Sequence, residues 1–402
     1  MLTIADLHVH IGSAADRQVV KVTASRDLTF ENILIESVNR KGVEIVGIVD
    51  CASPAVIRDI EALIDAGHMT QLDGGGLRYL GRLTVLLASE IETREPGGGM
   101  SHHVSYFPHL GQLKAFSAKI GEHLTNPNLS SQACGLSASE LCDLALQHQA
   151  QFVPAHAFTP HKSIYGACAA RAAGLFGDYW DAIPAIELGL SADAYLADRL
   201  AELAGKTFLS NSDAHSLPKI AREYNILEIE APSFEEFRRA LWREDGRRVE
   251  ANFGLDPRLG KYHRTHCEQC HWTAHEPPPV LACEQCGSRD VTRGVLDRIV
   301  QIADHDEPQP PAHRGPYQYQ IPLQFVPKVG AVILNRLINA FGTEMAVLHQ
   351  ATRQELGEVV GQKVADLIIQ AREGTLPLQA GGGGRYGRAI REGEGQIKLP
   401  GL

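Results

Sequence analysis

The sequence predicts an α/β fold for residues 1–254, followed by a small metal-binding module and an all-helical segment. Three observations support this prediction. Short apolar strands alternate with amphipathic helical patterns up to Gly254, several of those strands end in His, Asp or Glu, and four closely paired cysteines follow them. A chain of 402 residues is long enough for two or three domains.

The strands are predicted from short apolar runs, and their alternation with helices favours a parallel sheet with the helices outside it. They cover residues 4–10, 45–50, 83–90, 103–107, 152–156, 185–188 and 207–212. The helix predicted at 136–150 opens on Ser137 and Glu140, which have the spacing of a capping box. In α/β barrels the chemistry takes place at the carboxyl ends of the strands, so we expect a site there.

Composition and charge restrict the classes of function. The formal net charge is -10, so no global basic field attracts nucleic acid indiscriminately. No apolar run approaches the roughly 18 residues that span a bilayer, and we expect no membrane partner. Four of the eight cysteines are scattered and four are paired, which suits a reducing compartment better than a disulfide framework. We therefore expect a cytoplasmic protein.

Side chains that commonly bind metals recur at the predicted strand ends. They are His8, His10, Asp50, Glu90, His102, His103, His156, Asp213 and His215. Residues i and i+2 of a strand face the same side, so His8 and His10 project into one space. A single pair of this kind has another explanation, two partly exposed histidines on a strand that bind no metal. Imidazoles and carboxylates from several strands instead predict a divalent-metal site.

A metal site of this kind predicts hydrolysis of a phosphate ester. Two cations about 3.5–4 Å apart can hold a phosphate, activate a water molecule and stabilise the leaving oxygen. The sequence contains no convincing Ser/His/Asp triad or cysteine nucleophile, so the activated water is the expected nucleophile. Asp213 or His215 would accept a proton or assist the leaving group.

The motifs around these residues resemble those of the polymerase-and-histidinol-phosphatase (PHP) family. They are DLHVH at 6–10, GIVD at 47–50, SEIE at 89–92, HHVSYF at 102–107, PAHAF at 154–158 and SDAH at 212–215. The resemblance implies a PHP-type distorted (β/α)7 barrel with two or three divalent metal ions (Zn, Mn or Mg).

The resemblance also implies which residues bind each metal. The first metal would have the ligands His8, His10, Glu90 and Asp213. The second would have the ligands Glu90, His103 and His156. Glu90 would bridge the two metals, which makes it a catalytic residue together with Asp213 and His215. His102 is the alternative to His103, because neighbours on a strand face opposite sides; the family places its histidine immediately before the apolar run, which favours His103.

A third metal site is less complete in this sequence. His215 and Asp50 would contribute to it. The PHP pattern has a histidine directly after the aspartate, where this chain has Cys51, and no histidine lies between Gly12 and Arg26. The third site is therefore expected to be weak, empty, or rebuilt with Asp50 and Cys51.

Two CxxC pairs twelve residues apart predict a zinc ribbon. The four cysteines are Cys267, Cys270, Cys283 and Cys286. Four thiolates at this spacing can bind one structural Zn²⁺ tetrahedrally. A redox CxxC is the alternative for one pair alone. A site of three cysteines and one histidine is a variant, since four histidines lie in the same stretch.

The segment after residue 320 resembles paired helix–hairpin–helix modules, which bind DNA phosphates through glycine-containing turns and helix N-termini. Gly330 and Gly361 would be the hairpin glycines, with Lys328 and Lys363 near the phosphate. Residues 328–391 contain eight Lys/Arg and five Asp/Glu, a net +3 in an acidic chain. A plain helical bundle is the alternative. The glycine-rich stretch at 380–388 is expected to be a flexible loop or frayed end.

A PHP-like region, a zinc-ribbon motif and a helix–hairpin–helix-like segment, in this order, resemble the endonuclease Q family. The sequences RLGKYHRTHCEQC at 258–270 and LQAGGGGRYGR at 378–388 add to the resemblance. It implies a PHP domain at 1–254, a zinc ribbon at 255–303, a linker at 304–316 and a helical DNA-binding domain at 317–402. It also implies a DNA repair endonuclease that cleaves 5′ to uracil, hypoxanthine or an abasic site. The alternatives are a small-molecule phosphatase and a catalytically decayed DNA-binding scaffold. A sliding clamp is a candidate protein partner.

Overall fold

Ten strands form one sheet at the centre of the computed structural model, which describes residues 1–390. The strands in chain order are β1 (Leu2–Val9), β2 (Ile45–Ile48), β3 (Met69–Gln71), β4 (Leu77–Tyr79), β5 (Leu83–Arg94), β6 (Met100–Phe107), β7 (Gln151–Pro154), β8 (Ala185–Glu187), β9 (Thr207–Leu209), β10 (Tyr224–Glu228), β11 (Arg248–Gly254), β12 (His266–Cys267), β13 (Val291–Thr292), β14 (Tyr317–Tyr319), β15 (Leu378–Gln379) and β16 (Arg388–Ala389). The large sheet has the order β14-β11-β10-β1-β2-β5-β4-β3, with β6 and β7 continuing from β5. β8–β9, β12–β13 and β15–β16 form separate pairs.

The sheet is mixed, so the prediction of a parallel sheet is wrong in part. β1, β2 and β5 are parallel neighbours, and so are β8 and β9. β5, β6 and β7 are antiparallel, as are β1, β10 and β11. Only residues 95–99 separate β5 from β6, which is too short for the crossover that parallel strands need. All seven predicted strands are present.

Helices surround the sheet and make up most of the C-terminal segment. They are α1 (Phe30–Glu36), α2 (Pro54–Asp65), α3 (Leu110–Gly121), α4 (Ala138–Gln147), α5 (Ala172–Phe176), α6 (Ala194–Ala197), α7 (Phe234–Trp242), α8 (Val295–Ile302), α9 (Ala331–Phe341), α10 (Glu344–His349), α11 (Arg353–Val360) and α12 (Gln362–Arg372). The predicted capping box of α4 is confirmed, with Ser137 and Glu140 reciprocally hydrogen-bonded. Within residues 1–390, no helix has the length and apolar character needed to cross a membrane.

The segment at 304–316 packs against residues 198–208 of the α/β region. The Arg314 guanidinium is buried, lies 2.9 Å from the Asp198 carboxylate and covers the Phe208 ring at 3.4 Å. β14 follows and pairs with β11, so the chain returns to the large sheet before the helical segment begins. The glycine-rich stretch forms the turn of the β15–β16 hairpin and is hydrogen-bonded to residues 258–261, so the prediction of a flexible loop or frayed end is wrong there.

Candidate active site

The first group of candidate ligands forms where β1 ends. His10 N donates to the Ala214 carbonyl at 3.0 Å, and Ala214 N donates to the His8 carbonyl at 3.3 Å. These bonds hold the 213–215 loop beside the strand. Asp213 Oδ1 consequently lies 3.3 Å from His10 Nε2 and 3.8 Å from His8 Nε2. The three ligand atoms are close enough to share one cation.

Carboxylates behind the two histidines orient them. Glu187 Oε2 lies 2.9 Å from His8 Nδ1, and the Asp50 oxygens lie 3.1 and 3.2 Å from His10 Nδ1. Both histidines therefore present Nε2 to the shared space, in the arrangement in which a carboxylate fixes a metal-binding imidazole. Asp50, which the sequence predicts as a ligand, lies behind His10 and belongs to neither candidate ligand group of the described residues.

The second group contains Glu90, His102 and His156. Glu90 Oε1 lies 3.0 Å from His102 Nδ1 and 3.5 Å from His156 Nε2. The same oxygen is 3.4 Å from His8 Nε2, and Oε2 is 3.6 Å from His10 Nε2. Glu90 thus lies within 3.6 Å of histidine nitrogens from both groups.

His103 is not part of the site, so the choice of His103 over His102 is wrong. Its Nε2 lies 2.8 Å from Ser101 Oγ, and its ring stacks on Phe152 with the centroids 5.0 Å apart. Burial and the nearby His102 lower the pKa of His103 to about 3, so it is neutral at working pH. Side chains alternate between the two faces of β6, so only one of the adjacent residues His102 and His103 can face Glu90, and that residue is His102.

The charges of the site favour bound cations. Burial alone would raise the pKa of Glu90, but His102, Lys21 and His10 hold it well below its usual range. Burial likewise opposes ionisation of Asp213, yet His10, His215 and His8 lower its pKa well below the ordinary value. Both carboxylates are therefore ionised, as metal ligands must be. Imidazole nitrogens and carboxylate oxygens in this arrangement fit divalent metals.

His215 and Lys21 complete the rim of the site. His215 Nδ1 lies 3.4 Å from Asp213 Oδ1, and its ring centroid is 4.5 Å from that of His10. Burial and His10 lower the pKa of His215 to about 4. Lys21 Nζ donates to Glu90 Oε2 at 3.0 Å and also to Ser131. Burial disfavours the charge of Lys21, but Glu90, Asp50 and Asp213 raise its pKa.

Sequence reasoning missed Lys21, Ser131 and Glu187. Glu187 lies at the end of a predicted strand, so the strand-end criterion could have found it. Lys21 and Ser131 lie in loops 110 residues apart, and nothing in their local sequence indicates a site. A cavity of about 630 Å³ is lined by Lys21 and Ser131 and by the candidate ligands His10, Glu90, His102, His156 and Asp213. Its volume is within the size range of small-molecule pockets.

The four predicted zinc ligands come together. Cys267 Sγ lies 3.7 Å from Cys286 Sγ, and Cys270 Sγ lies 3.5 Å from Cys283 Sγ. All four cysteines are free thiols. Tetrahedral Zn–S bonds of about 2.3 Å separate the sulfurs by ~3.8 Å, so the cluster fits a zinc ion.

Comparisons with known proteins identify relatives of this chain. A family model described as PHP-associated matches residues 194–245. The uncharacterised protein YqxK of Bacillus subtilis is 45% identical over 385 residues, which cover 96% of this chain and 98% of YqxK. The crystal structure of the lesion-specific endonuclease PfuEndoQ from Pyrococcus furiosus superposes with a TM-score of 0.82 at 31% identity, over 97% of this chain and 96% of that one. The chain belongs to the endonuclease Q family. A second endonuclease Q structure, in complex with a 27-mer duplex carrying an abasic lesion, matches with a TM-score of 0.82 and 32% identity over 99% of both chains.

Membership of the endonuclease Q family confirms the predicted resemblance and the PHP-type α/β fold. It also confirms the expectation of an enzyme, since the solved relatives are endonucleases. Of the four residues predicted to bind DNA, Gly330 immediately precedes α9 and Gly361 immediately precedes α12. Lys328 and Lys363 lie within two residues of these glycines. Their contacts with DNA stay a prediction.

Proposed function

We propose that this endonuclease Q homologue repairs DNA by hydrolysing the phosphodiester bond 5′ to deaminated bases, such as uracil and hypoxanthine, and to abasic sites. The single observation that carries the proposal is that Glu90, which lines the cavity, lies close to histidines of both ligand groups. The solved relatives are a lesion-specific endonuclease and an endonuclease Q bound to a duplex with an abasic lesion, which supports damaged DNA as the substrate here.

The chain's residues would divide the work as follows. His8, His10 and Asp213 would hold one cation, His102 and His156 would hold a second, and Glu90 would contribute to both sites. Two cations held there would bind the phosphate oxygens and lower the pKa of a water molecule. His215 lies beside Asp213 and lines the cavity, so it is placed to accept or return a proton. Lys21 holds Glu90 in its bridging orientation and adds positive charge.

The C-terminal part would hold the duplex. In this proposal DNA phosphates are contacted at the starts of α9 and α12 by Lys328, Gly330, Gly361 and Lys363. Such contacts position DNA without reading its sequence. The division at 254, 303 and 316 into PHP domain, ribbon, linker and helical domain is part of the same proposal. A cytoplasmic location and a sliding-clamp partner stay predictions.

The test uses duplex oligonucleotides that each carry one uracil, hypoxanthine or abasic site. The protein is incubated with each duplex and Mg²⁺, Mn²⁺ or Zn²⁺, and the products are mapped on sequencing gels. We expect a nick 5′ to the lesion that leaves a 3′-hydroxyl and a 5′-phosphate, with undamaged duplex intact. Asp213→Asn should abolish the nick, whereas Asp245→Asn, at an exposed position, should keep it.

Two other outcomes would overturn the proposal. Turnover of an aryl phosphate without any DNA cleavage would indicate a small-molecule phosphatase. A shift of DNA mobility without hydrolysis of either substrate would indicate a DNA-binding scaffold.

A further inference from the structure

The loop that carries Asp213 has a strained backbone near both of its ends. We call residues 212–222 the Asp213 loop. Asp213 has a φ of 44° and Ala221 a φ of 56°, in the left-handed region that residues other than glycine rarely adopt. The buried Asp6 carboxylate ties the two ends together, because it accepts hydrogen bonds from Ser212 N at 3.1 Å and Ala221 N at 2.8 Å. Strained backbone of this kind persists only where surrounding contacts hold it in place.

Contacts with the C-terminal third of the chain hold the middle of the Asp213 loop. The Pro218 carbonyl accepts hydrogen bonds from Lys41 Nζ at 2.7 Å and from Gln324 Nε2 at 2.9 Å. Lys41 Nζ also lies 2.8 Å from Glu344 Oε1, and Glu344 is the first residue of α10. One buried ammonium group therefore joins the Asp213 loop to the C-terminal helices.

The ion pair between Lys41 and Glu344 is almost fully buried. The Lys41 side chain is 2% exposed and the Glu344 side chain is 7% exposed. A buried ammonium group is stable only beside a counter-charge and hydrogen-bond acceptors. Here these are the Glu344 carboxylate and the Pro218 carbonyl. The backbone beside the pair also packs closely, because a Cβ atom at Gly42 would overlap the Thr343 side chain. The position of Pro218 therefore depends on where α10 lies.

We propose that the Glu344–Lys41 ion pair holds the Asp213 loop in its metal-binding conformation, so that the packed C-terminal helices raise the affinity of the active site for divalent metal. This inference deepens the proposed function and rests on the metal site assigned there. Asp213 Oδ1 lies 3.3 Å from His10 Nε2, and a loop released at Pro218 can relax its strained backbone and move that oxygen away. Lys41 and Glu344 are positioning residues, since neither lines the active-site cavity.

Titration with Mn²⁺ tests the proposal without a nicking assay. Binding is followed by electron paramagnetic resonance, in the full-length protein with its zinc ribbon loaded with zinc. Lys41→Met should raise the Kd for Mn²⁺ at the active site by roughly 2- to 30-fold, the usual range for substitutions that change the coupling between distant sites. Asp213→Asn gives the reference for loss of the site.

A second variant separates this positioning role from a loss of stability. Lys41→Met leaves the Glu344 carboxylate buried without its partner, which lowers Tm. The double variant Lys41→Met/Glu344→Leu replaces the ion pair with apolar groups, a change that is often neutral for stability. We expect it to recover most of the Tm while its Mn²⁺ affinity stays low, because the Pro218 carbonyl still lacks the ammonium donor. Arg40→Ala is the matched control and should bind Mn²⁺ like the wild type, since Arg40 Nη2 donates to Asn335 Oδ1 of α9 at 2.9 Å.

Wild-type Mn²⁺ affinity in the folded double variant would overturn the proposal, and so would an equal loss of affinity in Arg40→Ala. If Lys41→Met does not fold, the double variant supplies the same comparison with the wild type. A wild-type protein that binds Mn²⁺ but cleaves no damaged duplex would overturn the proposed function instead, which is a different and recognisable result.

Discussion

Glu223 is a buried carboxyl group whose cost of ionisation can be worked out from its surroundings. Its side chain is 1% exposed. Oε1 accepts a hydrogen bond from Leu255 N at 2.8 Å, whereas Oε2 has no partner among the residues that the structure describes. Burial raises the pKa of Glu223 from its ordinary 4.5 to about 8, although Leu255 N and Arg222 oppose the shift.

The sign of the effect on stability follows from the bound protons. Between pH 4.5 and 8 the native protein holds a proton on Glu223 that the unfolded chain has lost. The free energy of unfolding therefore falls as the pH rises through this range. At about 1.36 kcal/mol for each pH unit, the loss reaches roughly 3 kcal/mol at pH 7 and roughly 5 kcal/mol above pH 8.

Glu223→Gln removes this loss, because the amide stays neutral and its oxygen can still accept from Leu255 N. Relative to wild type, the variant should gain roughly 3 kcal/mol between pH 4.5 and 7, or about 6 °C in Tm for a domain of about 250 residues. Calorimetric scans from pH 5 to 8.5 measure the gain, with the exposed Glu31→Gln as the matched control. Parallel Tm curves for Glu223→Gln and wild type would refute the reasoning.

Four further predictions concern the metals and the DNA. His102→Ala should lose one metal ion from the active site and nearly all nicking activity, whereas His103→Phe should keep the metals and lose only stability. Atomic emission measures the metal content, and equal content in the two variants would contradict the prediction. Glu187→Gln should weaken metal binding by about 10- to 100-fold in chelator competition, because the imidazole that it orients is released. Cys283→Ser should lower the zinc content by one ion per chain and leave the active-site metals in place; retention of that zinc would contradict the four-cysteine site. Lys363→Ala should weaken DNA binding equally for damaged and undamaged duplexes and reduce the slope of log K against log salt by about 1; an unchanged slope would place DNA elsewhere.

The sequence by itself determined the type of fold and most of the residues that meet at the candidate site. Strand-end histidines and carboxylates such as His8 and Glu90 are recognisable because alternation along a strand is a local rule. The CxxC pairs are recognisable for a similar reason, since four thiolates at short spacing have few other uses. Such patterns depend only on residues close together in the chain, so they can be recognised in the sequence before the fold is known.

Only the tertiary structure decided which of two adjacent histidines faces Glu90, because the pleat of β6 depends on its register with β5 and β7. It also decided that Lys21 reaches Glu90 from a loop 69 residues away in sequence. The glycine-rich stretch is the third case, because its composition predicts a flexible loop. In the folded chain its backbone packs closely on Arg258 and Leu259, and this contact brings Tyr386 to the cavity. Contacts of this kind join distant segments, so their geometry exists only after the chain has folded.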